Sequence, residues 1–185
     1  SAMFKFWFPK LWKIYADLER DLNDWSKLRG HPFPLRGAFP DVPFFDSTTN
    51  TGKKVVTPMH VDFKNAIFGM CIIAVFGRFN YRTHGLLVLK ELKLMLQLKP
   101  GDIAFIPSAL LTHGNTELAE DDIRRSWTLF NGGGLFRFRD AGFATVASMS
   151  QGERDEFYAM YDKFFQYYMD AHMSLDELRA YHGCE

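Results

Sequence analysis

The central part of the chain contains a series of short apolar segments separated by turns, with no helical pattern between them. Residues 66–76 are continuously apolar, as expected for a strand that is buried on both faces. Residues 92–99 carry leucine at every second position, with Lys93, Met95, Gln97 and Lys99 between, which predicts a strand with one face against a core and the other in water. Residues 85–90, 103–106 and 124–130 are further candidate strands. Because the helices that parallel βαβ units need are missing from this pattern, it predicts an antiparallel sandwich or barrel.

Helical patterns flank this series on both sides. Residues 10–29 carry apolar side chains at three-and-four spacing, which is typical of an amphipathic helix. Ser150-x-x-Glu153 and Ser174-x-x-Glu177 have the form of capping boxes and predict two helix starts. An aromatic stripe follows the first of them, and we interpret it as a packing face. The sequence therefore predicts a mainly β protein with flanking helices: an N-terminal helix at about 10–29, a β core at about 50–143 and C-terminal helices at about 150–182.

A proline-rich stretch, residues 31–50, lies between the first helix and the β core. This composition predicts an irregular covering segment. We expect it to be ordered by aromatic side chains that pack on the core, namely Phe33, Phe39, Phe44 and Phe45.

Length and composition favour one ordered domain that spans residues 1–185. A chain of 185 residues can bury a sizeable core, and its 47% hydrophobic content argues against disorder. Lys plus Arg and Asp plus Glu are equal at 22 each, which is not typical of a strongly basic nucleic-acid-binding domain. Two cysteines argue against a disulfide scaffold or a Cys-rich zinc site, and we interpret both as reduced thiols of an intracellular protein. No segment is long and apolar enough to predict a membrane span.

Two residues of metal-ligating type lie two positions apart in the segment 57–65. His60 and Asp62 follow the β-branched pair Val55-Val56, and side chains at i and i+2 of a strand point to the same face. An imidazole and a carboxylate would then converge, and a second histidine would complete the two-histidine, one-carboxylate triad of non-haem Fe(II) oxygenases. The pair alone is weak support, because 6 His and 22 acidic residues give roughly 0.7 such pairs by chance.

The other members of such a site follow at suitable spacing. On a double-stranded β-helix, the jelly-roll or cupin-like form of two facing sheets, a second histidine would begin a later strand across the barrel mouth. His113 follows Asp62 after an interval that holds four candidate strands. Arg124 and Ser126 share a strand face, so guanidinium and hydroxyl would bind one carboxylate together, whereas Arg125 would point away. Each residue alone is consistent with an ordinary loop or surface role, but the ordered set favours a metal site.

Four stretches of this pattern also carry a family resemblance: His60-Val-Asp-Phe-Lys-Asn65, Phe105-Ile-Pro-Ser108, His113-Gly-Asn-Thr116 and Gly133-Gly-Leu-Phe-Arg137. With them the sequence resembles the Fe(II)/2-oxoglutarate dioxygenases. More narrowly, it is similar to a fungal branch related to the TET/JBP family, the oxidases of methylated pyrimidines in DNA. The resemblance covers residues 35 to 143 and implies that His60, Asp62 and His113 bind iron and that Arg124 with Ser126 binds 2-oxoglutarate.

The resemblance implies Fe(II) as the metal, 2-oxoglutarate and O₂ as cosubstrates, and hydroxylation of a substrate C–H bond. The first hypothesis for the substrate is a methylated nucleobase in DNA or RNA, extruded or already single-stranded. Lys64 and Asn65, directly after Asp62, and Asn115, two residues after His113, are candidate substrate-binding residues. A peptide or small metabolite is the second hypothesis, and a catalytically silent binding module of the same fold is the third. We expect no membrane partner and an intracellular location, which would be nuclear for a DNA substrate.

Overall fold

A computed structural model of the chain describes residues 2–32, 35, 37, 39 and 41–184. The chain forms two compact units. Ser1–Pro43 and Gly134–Glu185 make up one, which we call the helical unit, and Phe44–Gly133 make up the other, which we call the sheet unit. That the whole chain is one domain stays a prediction. No helix in the described ranges is long and apolar enough to cross a membrane.

The helical unit takes its helices from both ends of the chain. The helices are α1 (Ala2–Trp7), α2 (Pro9–Leu28), α3 (Gly133–Asp140), α4 (Gln151–Met169) and α5 (Leu175–His182), with a short 3-10 turn at Val146–Ser148. Helix α2 confirms the predicted N-terminal helix, and it buries the apolar face formed by Leu11, Ile14, Leu18 and Leu22. Proline at its first position has the φ that a helix needs and lacks only an N–H that would have no partner there.

Both predicted capping boxes are present at the starts of α4 and α5. The side chains of Ser150 and Ser174 accept hydrogen bonds from the amides of Glu153 and Glu177, whose carboxylates bind back to the two serine amides. These bonds satisfy N–H groups that have no partner inside the helix. The C-terminal helices predicted at about 150–182 are therefore confirmed.

Two predictions about the helices are wrong. The β core does not extend to residue 143, because residues 133–140 form α3. The aromatic stripe of α4 is a packing face only in part, because Phe157 and Tyr168 are buried whereas Tyr161, which also lies near its centre, is 46% exposed. Met160 and Phe165 lie at the edges of the stripe at 3.6 residues per turn, and both are exposed.

The sheet unit contains two antiparallel sheets. Its strands are β1 (Asp46–Asn50), β2 (Cys71–Arg78), β3 (Leu87–Leu89), β4 (Leu94–Leu96), β5 (Ile103–Ile106), β6 (His113–Asn115) and β7 (Ile123–Phe130). A four-stranded sheet has the order β1-β7-β2-β5, and a three-stranded sheet has the order β4-β3-β6. The structure confirms the predicted antiparallel sheets with flanking helices. It also confirms the four strands predicted between Asp62 and His113, which are β2 to β5.

The core of the sheet unit is built from β2, β3 and β5. Five consecutive residues of β2, Cys71 to Val75, are buried, as expected for a strand that is covered on both faces. Leu87, Leu89 and Ile106 pack into the same apolar cluster. Because β2 and β7 are neighbours in the four-stranded sheet, the core holds the strand that carries Arg124 and Ser126 in place.

Three strand predictions are wrong in extent. The buried strand begins at Cys71 rather than at residue 66, since residues 66–69 form a turn closed by the bond from Gly69 N to the Ala66 carbonyl. Residues 57–65 are not a strand, although His60 forms an isolated bridge with His113. Residues 92–99 contain only the short β4, because Lys93 has a φ of 54°. Leu94 is 47% exposed instead of facing a core, whereas Leu98 is buried, as the alternation predicted.

The proline-rich segment differs from its prediction at its C-terminal end. Residues 46–50 are not irregular but form β1, which pairs with β7. Phe44 is buried, as expected, whereas Phe39 is exposed. Phe33 lies outside the described residues.

Candidate metal centre

His60 and His113 face each other across a single antiparallel bridge. The His60 amide donates to the His113 carbonyl at 2.9 Å, and the His113 amide donates to the His60 carbonyl at 2.8 Å. Residues that are directly opposite in such a pair send their side chains to the same side. The two imidazole centroids are therefore only 4.3 Å apart. One bridge, rather than a regular strand, brings the two histidines together.

Asp62 completes a group of three potential metal ligands. Its amide donates to the Ser108 carbonyl at 3.0 Å, which fixes the backbone after His60. Asp62 Oδ1 is 3.4 Å from His60 Nε2, and Oδ2 is 3.7 Å from His113 Nε2. The ligand atoms of the three residues all lie within 4.8 Å of one another, and among the residues that the structure describes this is the one such group.

Hydrogen bonds to backbone carbonyls fix the tautomers of both histidines. His60 Nδ1 is 2.9 Å from the Pro58 carbonyl oxygen, and His113 Nδ1 is 2.9 Å from the Leu111 carbonyl oxygen. Because a carbonyl only accepts, each Nδ1 carries the proton and each Nε2 presents a lone pair beside Asp62. Metal-binding histidines are typically oriented in this way. Two imidazoles and one carboxylate therefore fit a divalent first-row metal with open coordination positions.

The three residues line a cavity of about 290 Å³ in the sheet unit. This volume lies near the lower end of the range for small-molecule sites. Thr57 and residues of the two sheets supply the rest of the lining; the sheet residues are Thr48, Asn50, Cys71, Ile73, Leu87, Gly114, Asn115, Arg124, Ser126, Thr128 and Phe130. The cavity thus has a group of three potential metal ligands, polar side chains and apolar walls.

Arg124 brings a buried positive charge into this cavity. The residue is 2% exposed, and within the described ranges it forms no ion pair with a carboxylate. Its Nη1 donates to the Val55 carbonyl at 3.2 Å and lies 3.5 Å from Asn115 Oδ1, whereas its Nε has no hydrogen-bond partner among the described residues. Burial lowers the pKa of the guanidinium, which nevertheless keeps its proton. Since a buried charge without a partner is costly, Arg124 favours an anionic ligand.

One glycine makes room for the backbone of β7 beside Arg124, and a second makes room for the Arg124 side chain. Gly77 lies opposite Arg124 in the register of β2 and β7, and a Cβ there would be 2.1 Å from the Ile123 carbonyl oxygen. A Cβ on Gly85 would be 2.8 Å from Arg124 Cδ. The Phe79 ring lies on the guanidinium, 5.9 Å from its carbon, and adds an attraction between cation and aromatic ring.

Ser126 lies on the same face of β7 as Arg124, as predicted. Both are buried, and Arg125 between them is exposed. Ser126 Oγ accepts a hydrogen bond from Asn50 Nδ2 at 3.1 Å. The hydroxyl can therefore donate its own hydrogen to a ligand beside Arg124.

The predicted substrate-binding residues have three different placements. Lys64 is exposed, does not line the cavity and lies over the Phe63 ring at 5.9 Å. Asn65 does not line the cavity either. Asn115 does, but its Oδ1 accepts from the Thr57 amide at 2.8 Å and its Nδ2 donates to the Thr116 carbonyl at 2.9 Å. Asn115 thereby anchors the segment that leads to His60.

Several cavity residues were not predicted from the sequence. Thr48, Asn50 and Thr128 lie on the paired strands β1 and β7, and the β-branched pair Thr48-Thr49 was the one signal for β1. Cys71 also lines the cavity. Burial, with a smaller effect from the negative charge of Asp62, raises the pKa of this thiol to about 12, so it stays neutral beside the metal group.

The chain matches no known protein-family model, and no curated protein matches it either. The geometry of the metal group and of its cavity therefore defines what chemistry the chain can support.

Proposed function

We propose that this chain is an Fe(II)- and 2-oxoglutarate-dependent dioxygenase. One observation carries the proposal: the His-Asp-His group and the buried guanidinium of Arg124, which has no carboxylate partner among the described residues, line the same small cavity. A structural zinc site is closed by four protein ligands, whereas this group offers three. A site with three ligands and a nearby buried cation fits a small organic anion that binds the metal at one end and the cation at the other.

Strand pairing supports a double-stranded β-helix as the fold of the sheet unit. We count the bridged segment at His60 as a rudimentary strand between β1 and β2, which gives the unit eight strand positions. In this count β1 pairs with β7, the segment at His60 with β6, β2 with β5, and β3 with β4. The first position therefore pairs with the eighth, the second with the seventh, the third with the sixth and the fourth with the fifth. Of these four pairs, two lie in the four-stranded sheet: β2 with β5 and β1 with β7. This is the pairing of one long hairpin wound into a jelly roll.

Each residue of the site has a defined task in this proposal. His60, Asp62 and His113 would hold Fe(II), while Arg124 and Ser126 would bind the carboxylate of 2-oxoglutarate that is farther from the metal. When bound, Fe(II), 2-oxoglutarate and O₂ supply oxidative decarboxylation to succinate and CO₂, coupled to hydroxylation of a substrate C–H bond. The protein orients these groups and keeps water away from them. Its apolar lining residues, Ile73, Leu87 and Phe130, contribute to the exclusion of water.

For the substrate we propose a methylated nucleobase in DNA or RNA. Exposed apolar side chains alternate with the metal ligands along the segment around His60, and the most exposed is Phe63 at 82%. Phe63 directly follows Asp62 and has the Lys64 ammonium 5.9 Å from its ring centroid. An aromatic face beside a cation is typical of surfaces that stack a base and bind its phosphate. The balanced charge of the chain favours a peptide or small metabolite as the second candidate.

Succinate release from 2-oxoglutarate in air tests the reaction. We expect release that requires Fe(II), is lost in His113→Ala and is retained in His84→Ala, because His84 belongs to the sheet unit but does not line the cavity. Single-stranded DNA that contains 5-methylcytosine should stimulate release more than unmethylated DNA and should yield an oxidised base by mass spectrometry. Release without stimulation would favour the metabolite or peptide, and no Fe(II)-dependent release under any condition would contradict the dioxygenase.

A further inference from the structure

The Asp62 carboxylate is held by the side chain of Asn65. Asn65 Nδ2 donates to Asp62 Oδ2 at 3.2 Å and to Ser108 Oγ at 3.0 Å. Because a carboxylate only accepts, the amide nitrogen of Asn65, and not its oxygen, faces Asp62. Both hydrogens of this nitrogen are therefore used, and neither is left for a substrate.

Ser108 gives this arrangement a rigid support. It is 1% exposed, and its amide donates to the Ile106 carbonyl at 2.9 Å at the end of β5. Its carbonyl accepts from the Asp62 amide, and its hydroxyl accepts from Asn65. Ser108 thus holds the backbone of Asp62 directly and the carboxylate through Asn65.

The backbone of Asn65 is fixed as well. Its amide donates to the Asp62 carbonyl at 2.9 Å, and the residue forms an isolated bridge with Gly132. A side chain anchored at both ends in this way can impose one orientation on the carboxylate plane.

We propose that Asn65, oriented by Ser108, is the positioning residue that makes Asp62 a metal ligand through one oxygen. The inference rests on the metal centre of the proposed function. With Oδ2 engaged by Asn65, Oδ1 accepts no hydrogen bond from the described residues, so its lone pairs face the site, and it lies 3.4 Å from His60 Nε2. A carboxylate that bound through both oxygens would occupy one more coordination position, whereas the site needs open positions for 2-oxoglutarate and O₂.

Titration with Co(II), followed by visible absorption in the absence of 2-oxoglutarate, tests this role without turnover. Outer hydrogen bonds to metal ligands typically contribute 10- to 100-fold in metal affinity, so Asn65→Ala should weaken Co(II) binding by about that factor. Its absorption band should also change in intensity, because a freed carboxylate binds through both oxygens. The control is Asn80→Ala, since the Asn80 side chain bonds within its own turn and does not line the cavity. This control should bind Co(II) like the wild type.

Ser108→Ala provides a second variant, which carries the test if Asn65→Ala does not fold. It keeps the backbone bond to Asp62 and loses only the hydroxyl that orients Asn65, so we expect a smaller, several-fold loss of affinity. A Co(II) affinity and band unchanged in both variants would overturn the positioning role and leave the metal centre standing. A wild-type protein that binds no Co(II) would overturn the metal centre itself, and the positioning role with it.

Discussion

Replacement of Arg124 by methionine should stabilise the ligand-free protein while strongly reducing its response to 2-oxoglutarate. The guanidinium is buried and has no carboxylate partner among the described residues. Its removal therefore eliminates a desolvation penalty that no ion pair offsets. Substitution of buried ionic groups by apolar side chains of similar size stabilises by about 1 to 4 kcal/mol. The lost bond to the Val55 carbonyl costs about 1 kcal/mol, and Asn115 Nδ2, at 3.5 Å, remains as a donor to that carbonyl. The net gain of about 0 to 3 kcal/mol corresponds to a rise in Tm of up to about 10 °C.

Bound 2-oxoglutarate, in contrast, should stabilise the wild type more than Arg124→Met. Removal of one partner of a buried charge pair weakens binding by about 2 to 5 kcal/mol, which is at least about 30-fold in Kd. At a concentration of 100 Kd, 2-oxoglutarate stabilises the wild type by about 2.7 kcal/mol, whereas at that concentration it should stabilise Arg124→Met by at most about 0.9 kcal/mol. Thermal unfolding with Mn(II), with and without 2-oxoglutarate, measures both effects in one experiment.

Arg125→Met is the matched control, because it makes the same change at the exposed neighbour on β7. It should leave both the Tm and the 2-oxoglutarate shift close to those of the wild type. An Arg124→Met variant that is several kcal/mol less stable than the wild type and responds to 2-oxoglutarate as strongly as the wild type would refute this prediction, since Arg124 would then be a structural residue.

Three further predictions concern the surroundings of the site. Gly85→Ala should lower both the free energy of unfolding and the 2-oxoglutarate affinity measured by calorimetry, because the added Cβ would displace the Arg124 guanidinium. Gly101 also has a positive φ but open space around it, so the control Gly101→Ala should lower the free energy of unfolding only. Ile106→Ala should cost about 2 to 5 kcal/mol in urea unfolding, since the side chain is buried in the core of the sheet unit, and a cost below about 1 kcal/mol would contradict that packing. At pH 8 a thiol reagent should modify the exposed Cys184 but not Cys71, whose pKa is raised to about 12 by burial, and both thiols should react after denaturation.

Features that depend on local pattern could be predicted from the sequence. The capping boxes at Ser150 and Ser174 are complete in a four-residue motif, and α2 follows from regular apolar spacing. Alternation along β7 correctly places Arg124 and Ser126 on one buried face with Arg125 on the other. In each case the residues that decide the structure are neighbours in the chain.

Features that depend on distant partners could not be predicted. Strand β1 is polar and mostly exposed, so its extended conformation comes from pairing with β7 rather than from an apolar pattern. His60 and Asp62 converge through one bridge to His113 and one bond to Ser108, not through the strand that their spacing suggested. The role of Asn65 depends on the same Ser108, which lies 43 residues away in the chain.

Anaerobic addition of Fe(II) and 2-oxoglutarate tests the central claim most directly. Chelation of Fe(II) by this 2-oxoacid gives a visible metal-to-ligand charge-transfer band, which requires metal and cosubstrate in one site. We expect the band in the wild type and in Arg125→Ala, its loss in His113→Ala, and a weaker band at limiting 2-oxoglutarate in Arg124→Ala. Absence of the band in the folded wild-type protein would contradict the claim that His60, Asp62, His113 and Arg124 form one iron and 2-oxoglutarate site.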